Sequence, residues 1–104
     1  MDLTIRHDGF EMTDAIDLHV RDRLAAALNQ HESHVRSVAV TVRDENGPRG
    51  GVDKSCLVQV DLAVQHEPVI VKKLHENLYL AVTEAADAVK RTVGKLVGKA
   101  KDHR

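Results

Sequence analysis

The longest regular pattern in the chain is an apolar stripe over residues 78–101. Apolar residues recur there at steps of three and four, at Leu78, Val82, Ala85, Val89, Val93, Leu96 and Ala100. This spacing places them on one side of an α-helix. The polar residues of the segment change from acidic to basic along its length. The pattern therefore predicts an amphipathic helix whose apolar side packs on the rest of the chain and whose basic end is exposed.

A second amphipathic helix is predicted over residues 14–29. Thr13 is a suitable N-cap because its hydroxyl can accept a hydrogen bond from a free amide of the first turn, and Asp14 lies at the positive end of the helix dipole. The apolar positions of this helix are Ile16, Val20, Leu24, Ala27 and Leu28. Leu18 falls on the opposite side, where an isolated exposed leucine is expected.

Four segments alternate apolar and polar residues, as half-buried β-strands do. They cover residues 2–6, 35–43, 55–65 and 69–74. The third strand is expected to turn every second residue from Cys56 to Val64 inward, and His7-Asp8-Gly9 is expected to form a turn. The Gly-rich segment 44–51 is predicted to be a flexible hairpin loop, since it lacks the phosphate-loop pattern and joins two strands. Asn77 is expected to cap the closing helix.

The predicted order of elements is strand, helix, strand, strand, strand, helix. Short loops join the last three strands, which predicts an antiparallel meander that the first strand joins after a helical crossover. Two helices with one apolar stripe each can both cover the same face of a sheet. The sequence therefore predicts an α+β two-layer sandwich, with a four-stranded sheet and two helices packed on one face, formed by a single domain over residues 1–104.

The composition is that of a folded protein with an aliphatic core. Of the 104 residues, 42% are hydrophobic and 30% are charged, and Phe10 and Tyr79 are the only Phe, Tyr or Trp residues. No apolar run approaches the ~20 residues that a membrane-spanning helix needs. The N-terminus lacks the pattern of a signal peptide, and the single Cys56 excludes an internal disulfide. We expect a cytoplasmic protein with no membrane contact.

No arrangement of residues indicates catalysis or metal binding. His31 and His34 occur in H-E-S-H, whose spacing differs from the HExxH of zinc proteases. Cys56 falls on the apolar phase of its strand and is expected to be a buried, unreactive thiol. Asp14 and Asp17 are interpreted as solvated residues that complement the helix dipole. We therefore expect a binding protein that is not an enzyme, with no cofactor, metal or small-molecule substrate.

The net charge of −1 hides an asymmetry along the chain. Residues 1–53 carry ten acidic and six basic side chains, whereas residues 90–104 carry six basic side chains and Asp102 as their one acid. On a helical wheel the basic side chains form two flanks, with Arg91, Lys95 and Lys99 on one and Lys90 and Lys101 on the other. This pattern suits contacts to a phosphate backbone, and it equally suits a solvated helix end that complements the dipole.

The segment at 77–95 resembles the closing helix of the ribosome hibernation-promoting factors. That family includes ribosome-associated inhibitor A and the sigma-54 modulation proteins. Its helix begins (D/N)-(L/M)-Y-x-A-(I/V) and continues to D-x-(L/V)-x-R-x-(L/V), and this chain reads N-L-Y-L-A-V-T-E-A-A-D-A-V-K-R-T-V-G-K. The N-terminal M-D-L-T-I-R-H-D-G-F-E-M-T-D-A-I is similar to the family's first strand, turn and capped helix. The resemblance covers essentially the whole chain, as a short form without the second, dimerising domain of the long members.

The resemblance implies a protein that binds the small ribosomal subunit through rRNA contacts. Such a protein blocks the path of mRNA and tRNA, and so silences translation under stress or in stationary phase. It has no catalytic step, and a monomer is the expected state. The residues expected to contact RNA are Arg23, Lys90, Arg91, Lys95, Lys99 and Lys101.

Several positions depart from the family pattern. Three positions that are commonly basic carry apolar residues, namely Ala26, Ala88 and Val97. Asp17 and Asp22 make the first helix acidic, and Gly94 and Gly98 lower helix propensity by roughly 1 kcal/mol each relative to alanine. Together with the exposed Leu18, these departures motivate an alternative function, a protein–protein adaptor that keeps the fold without binding ribosomes.

Overall fold

The structure, a computed structural model, describes residues 2–45 and 52–102. Most of the predicted loop at 44–51 therefore lies outside the described residues, as do the side chains after Lys99. The elements in chain order are β1 (Asp2–Asp8), α1 (Asp14–Leu28), a 3-10 segment (Asn29–His34), β2 (Val35–Asp44), β3 (Lys54–Leu62), β4 (Val69–His75) and α2 (Leu78–Asp102). This order is the predicted one.

The four strands form one mixed sheet in the order β1-β2-β3-β4. β2, β3 and β4 pair antiparallel, as the short connections predict. β1 pairs parallel with β2, because α1 carries the chain back to the starting edge before β2 begins. Both helices contribute to one core with the sheet, and α2 lies against β3, β4 and α1. The predicted α+β two-layer sandwich is confirmed.

Local capping fixes where both helices begin. The Thr13 hydroxyl accepts a hydrogen bond from the amide of Ile16 at 3.2 Å. The Asn77 side-chain oxygen accepts from the amides of Tyr79 at 2.9 Å and Leu80 at 3.3 Å. Each cap satisfies amide groups that have no partner inside the helix, so both predicted start signals are confirmed.

The core is aliphatic and lies between the sheet and the helices. Its largest fully buried side chains are Leu24, Leu28, Leu62, Val20, Val38, Val40, Val42, Val58, Val60, Val82, Val89 and Val93. Burial of each such side chain stabilises the fold by roughly 1.5–3 kcal/mol relative to exposure. The strand valines occupy every second position, so one face of the sheet is apolar throughout.

α2 buries a wider surface than its predicted stripe. Ala81, Ala86, Ala88 and Val97 are buried as well, because α2 contacts α1 as well as β3 and β4. Ala88 and Val97 are 9% and 1% exposed. These two departures from the family pattern therefore enlarge the core and place apolar side chains where a charge would be costly.

β1 is longer than the sequence predicted. His7 and Asp8 pair with Val42 and Arg43, so the strand continues through two residues that were assigned to a turn. The chain turns instead at Gly9, whose φ is +83°. A Cβ at Gly9 would overlap the backbone oxygen of Asp44, so both the conformation and the space require glycine.

β3 is shorter than predicted, and Val64 does not point into the core. The strand ends at Leu62, where the amide of Ala63 donates to the carbonyl of His34 at 2.8 Å. The chain then turns, and Val64 is 37% exposed. The prediction for Cys56, Val58, Val60 and Leu62 was correct.

The opposite face of the sheet is open to solvent. It carries the predicted polar positions Thr41, Arg43, Gln59, Asp61 and Lys72, and also the exposed apolar residues Ile70 and Leu74. This face has no helix over it in the described part of the chain. Within the same residues, no helix is both long enough and apolar enough to span a membrane.

Candidate nucleic-acid interface

The second half of α2 presents a set of exposed cations, which we call the basic surface of α2. It consists of Lys90, Arg91, Lys95 and Lys99. α2 buries its apolar stripe and also the residues that flank the stripe, against α1, β3 and β4. These four side chains therefore point away from the core. From Lys90 to Lys99 they span about 13 Å of helix axis, at a rise of ~1.5 Å per residue. No ion pair within 4 Å engages any of the four among the residues that the structure describes.

One flank of this surface borders a groove between the two helices. The α1–α2 groove has a volume of about 180 Å³ and is lined by Arg23, Ala26, Ala27, Ala86, Asp87 and Lys90. Three alanines form much of its lining, and their short side chains leave the space open. Arg23 and Lys90, which the sequence predicted as RNA contacts on different helices, are thus brought together.

The other flank borders a groove between α2 and the sheet edge. The α2–β4 groove has a volume of about 250 Å³ and is lined by Lys73, Glu84, Asp87 and Arg91. Arg91 was a predicted contact, whereas Lys73 was missed. Lys73 lies opposite Cys56 in the sheet register and shares the inward phase of Val69 and Val71. The sequence signal for Lys73 is its place on the inward phase of an edge strand, where an apolar residue would be expected.

The remaining predicted residues lie toward the end of α2. Lys95 and Lys99 are exposed beyond both grooves. Lys101 belongs to the last turn of α2, and its side chain is outside those described. The structure therefore groups Arg23 with Lys90 and Arg91 with Lys73, and it leaves Lys95 and Lys99 as a basic extension of the helix.

Acidic residues limit the positive charge of both grooves. Glu84 lines the α2–β4 groove, and Asp87 lines both grooves. Asp87 precedes Lys90 by three residues and Arg91 by four, which is the spacing at which helix side chains are neighbours. The cations are thus densest beyond Asp87, in the second half of the helix.

Buried polar groups elsewhere have structural roles. Cys56 is fully buried, and burial raises the pKa of its thiol to about 12. Lys54 donates to Asp53 at 2.8 Å and pairs with Asp44 at 3.3 Å. The hydrogen bond that Lys54 donates to Asp53 is the main reason that the pKa of Lys54 is raised. Over residues 2–45 and 52–102, no three His, Cys, Asp or Glu residues are grouped so as to hold a metal ion.

The fold and this surface define a small α+β binding domain with a cationic helix end. Residues 3–101 match the family described as "Sigma 54 modulation protein / S30EA ribosomal protein". The match spans almost the whole chain, and the protein belongs to this family. Among proteins of curated function, none matches the sequence.

Several solved structures share the fold, and two of them illustrate the likeness. The crystal structure of the Thermus thermophilus Protein Y N-terminal domain superposes with a TM-score of 0.73 at 23% identity, covering 91% of this chain and 98% of that one. A ribosomal subunit interface protein from Coxiella burnetii superposes with a TM-score of 0.79 at 10% identity, covering 94% and 99%. At these identities the likeness concerns the fold alone.

Family membership confirms the resemblance drawn from the two ends of the sequence. The family is one of ribosome-binding modulation proteins and not of enzymes. The protein is therefore a ribosome-associated protein and not an enzyme.

Proposed function

We propose that this protein binds the small ribosomal subunit through rRNA phosphates and silences translation by blocking the mRNA and tRNA path. One observation carries the proposal: the basic surface of α2 presents four exposed cations, none of them engaged in an ion pair among the described residues. In a member of a ribosome-associated family, RNA is the polyanion that these cations are expected to meet.

The electrostatic consequence is a steep dependence on salt. Each phosphate that a lysine or arginine neutralises releases condensed counterions. Four contacts to unpaired RNA give a slope of log K against log salt of about −3, at ~0.7 per contact. Arg23 and Lys73 border the same surface and add to it where RNA enters the two grooves.

Silencing by this route requires only that the protein occupy the mRNA and tRNA path, and it involves no catalytic step. A folded domain seated in an RNA channel excludes mRNA and tRNA from the space that it fills. This mechanism operates under stress or in stationary phase, when bound ribosomes are held idle, and it works with a monomer in the cytoplasm. No cofactor, metal or small molecule takes part.

The test is co-sedimentation with purified small ribosomal subunits in a sucrose gradient. We expect the unmodified protein to migrate with subunits at low salt, and the Arg91→Glu, Lys95→Glu, Lys99→Glu triple variant to remain at the top. A matched control reverses three exposed basic residues of the sheet, Arg6, Arg36 and Lys72, and should keep binding. Unchanged binding of the α2 variant would contradict the site, and no binding of the unmodified protein would contradict the function.

A protein adaptor is the second candidate function. Leu18 is 59% exposed on α1, and Ile70 is 62% exposed on the open sheet face, so two apolar side chains are available to a protein partner. A pull-down distinguishes the two functions: a discrete partner that survives ribonuclease treatment favours the adaptor, and loss of all captured material with ribonuclease favours RNA binding.

A further inference from the structure

Tyr79 is the only aromatic residue of α2, and it is left 41% exposed. Its position on the helix relates it to the α1–α2 groove. Tyr79, Thr83, Ala86 and Lys90 follow one another at steps of four, three and four, so they share the flank of α2 that faces α1. Tyr79 therefore stands at the head of a row of side chains that leads along the groove to Lys90.

Contacts with α1 hold Tyr79 in place. His19 of α1 makes an edge-to-face contact with Tyr79, with ring centroids 4.9 Å apart and an interplanar angle of 69°. Nε2 of His19 lies 3.1 Å from the Tyr79 carbonyl oxygen. A carbonyl only accepts, so Nε2 carries the proton. The aromatic ring is thus oriented by a neighbour while much of it remains exposed.

A chain of hydrogen bonds connects the backbone of Tyr79 to the first cation of the groove. The Thr83 hydroxyl donates to the Tyr79 carbonyl at 3.0 Å, and Nε of Arg23 donates to the Thr83 hydroxyl at 3.4 Å. Lys90 lies about 16 Å further along the helix axis than Tyr79, at ~1.5 Å per residue. Along this flank an oriented aromatic ring is therefore followed by an arginine and then a lysine, and the two cations line the α1–α2 groove.

This sequence of groups matches what an unpaired RNA strand offers. An unstacked base can lie on an aromatic ring, and the following phosphates can meet cations. In a duplex the bases are stacked inside the helix and cannot reach such a ring. We propose that the α1–α2 groove binds single-stranded RNA, with one base stacked on Tyr79 and the phosphates running toward Arg23 and Lys90. This inference rests on the proposed function and specifies which form of RNA the domain takes.

The test compares short labelled RNAs by fluorescence anisotropy. The probes are an oligoadenylate, the same strand with abasic sugars throughout, and a duplex of equal length. We expect the oligoadenylate to bind at least about 5-fold more tightly than the abasic strand, since stacking on one aromatic side chain is worth ~1–3 kcal/mol. Equal affinity for the intact and the abasic strand, or preference for the duplex, would overturn the proposal.

Variants of Tyr79 separate the ring from the charge. Tyr79→Leu should weaken oligoadenylate binding by about 5- to 100-fold and leave the abasic strand unaffected, whereas Tyr79→Phe should behave as the unmodified protein. Unchanged abasic binding also shows that the leucine variant is folded. If Tyr79→Leu discriminates between the strands as well as the unmodified protein does, stacking at this position is excluded.

The outcome is distinguishable from failure of the proposed function. Binding to small subunits depends on the Arg91, Lys95 and Lys99 flank, which lies on the other side of α2 from Tyr79. Retained sedimentation together with absent discrimination between intact and abasic RNA would overturn this inference alone. Absence of both would overturn both, and a ribonuclease-resistant protein partner in place of RNA would do the same.

Discussion

At the scale of single residues, Asp87 sets the balance of charge on the side of α2 that we propose to face RNA. It lines both grooves and neighbours Lys90 and Arg91 along the helix. Its carboxylate therefore attracts the same cations that RNA phosphates would use. The exposed charge is partly screened by solvent, so its effect on RNA affinity is moderate.

Replacement of Asp87 by asparagine should strengthen RNA binding. We expect Asp87→Asn to raise affinity for small ribosomal subunits by about 2- to 5-fold, the range of an exposed charge worth ~0.4–1 kcal/mol. The measurement is a binding titration at two salt concentrations, where the gain should shrink as salt increases. Asp22→Asn, which removes an exposed acid of α1 outside both grooves, is the control. A gain of equal size in both variants would show only an effect of net charge.

Cys56 illustrates a buried group whose chemistry is suppressed by the fold. Burial raises the pKa of its thiol to about 12, so the thiolate that reacts with disulfide reagents is absent from the folded protein at neutral pH. We expect no reaction with an aromatic disulfide reagent at pH 8, and complete reaction after unfolding in urea. Rapid reaction of the folded protein would contradict the assigned burial.

The same shift gives a pH dependence with a definite sign. The thiol of the unfolded chain loses its proton from about pH 9, near its ordinary value, while the folded thiol keeps its proton up to about pH 12. The unfolded state is therefore favoured as pH rises through this window. This contribution lowers the free energy of unfolding by about 1 kcal/mol between pH 8 and pH 10. A Cys56→Ala variant, measured by urea unfolding at both values, should lack this component.

At the scale of elements, α2 continues through two glycines without a break. A Cβ on Gly98 would meet nothing within 4 Å, and one on Gly94 would meet only Nε2 of His31, at an ordinary 3.7 Å. Neither position needs glycine for space or for backbone conformation. The glycines therefore lower the stability of the helix, and no contact in the structure requires glycine at either position.

Alanine at Gly98 should stabilise the protein. We expect Gly98→Ala to raise the free energy of unfolding by about 0.5–1 kcal/mol and the melting temperature by roughly 2–8 °C. Gly9→Ala is the matched control and should destabilise, because Gly9 has a positive φ and its Cβ would overlap Asp44. The measurement is thermal unfolding followed by circular dichroism. A lower melting temperature for Gly98→Ala would show that α2 is bent or contacted there in a way that the structure does not show.

The elements also show which parts of the fold the sequence could predict. Helix starts were correct because the signals are local, as with Thr13 and Asn77. Val64 was misplaced because the alternation of β3 continues in the sequence after its pairing has stopped. The pairing stops where the 3-10 segment replaces β2, as the hydrogen bond from Ala63 to His34 shows. A strand end that depends on its partner cannot be read from one strand alone.

At the scale of the whole molecule, the candidate site is assembled by contacts that the sequence does not encode locally. Five exposed cations were predicted on the closing helix. The structure places four of them on an exposed surface, and the side chain of the fifth, Lys101, lies outside those described. Lys73 lines one groove because α2 lies against β4, and Arg23 and Lys90 line the other because α2 lies against α1. Tyr79 was visible in the family motif, but its relation to His19 required the packed helices. The sequence did not predict these features because each depends on contacts between elements that are distant in the chain.

The domain therefore has two sides with different characters. The open sheet face combines polar residues with Ile70 and Leu74, whereas the helix side carries the cations of α2 and the two grooves. In this account RNA meets the helix side. Charge reversal on the sheet, at Arg6, Arg36 and Lys72, should leave ribosome binding intact for this reason.

The most direct test of the account is co-sedimentation with purified small ribosomal subunits over a salt series from about 50 mM to about 300 mM. The account predicts binding by the unmodified protein, a slope of log K against log salt near −3, and loss of binding in the Arg91→Glu, Lys95→Glu, Lys99→Glu variant. Binding that is independent of salt and unchanged in that variant would contradict it.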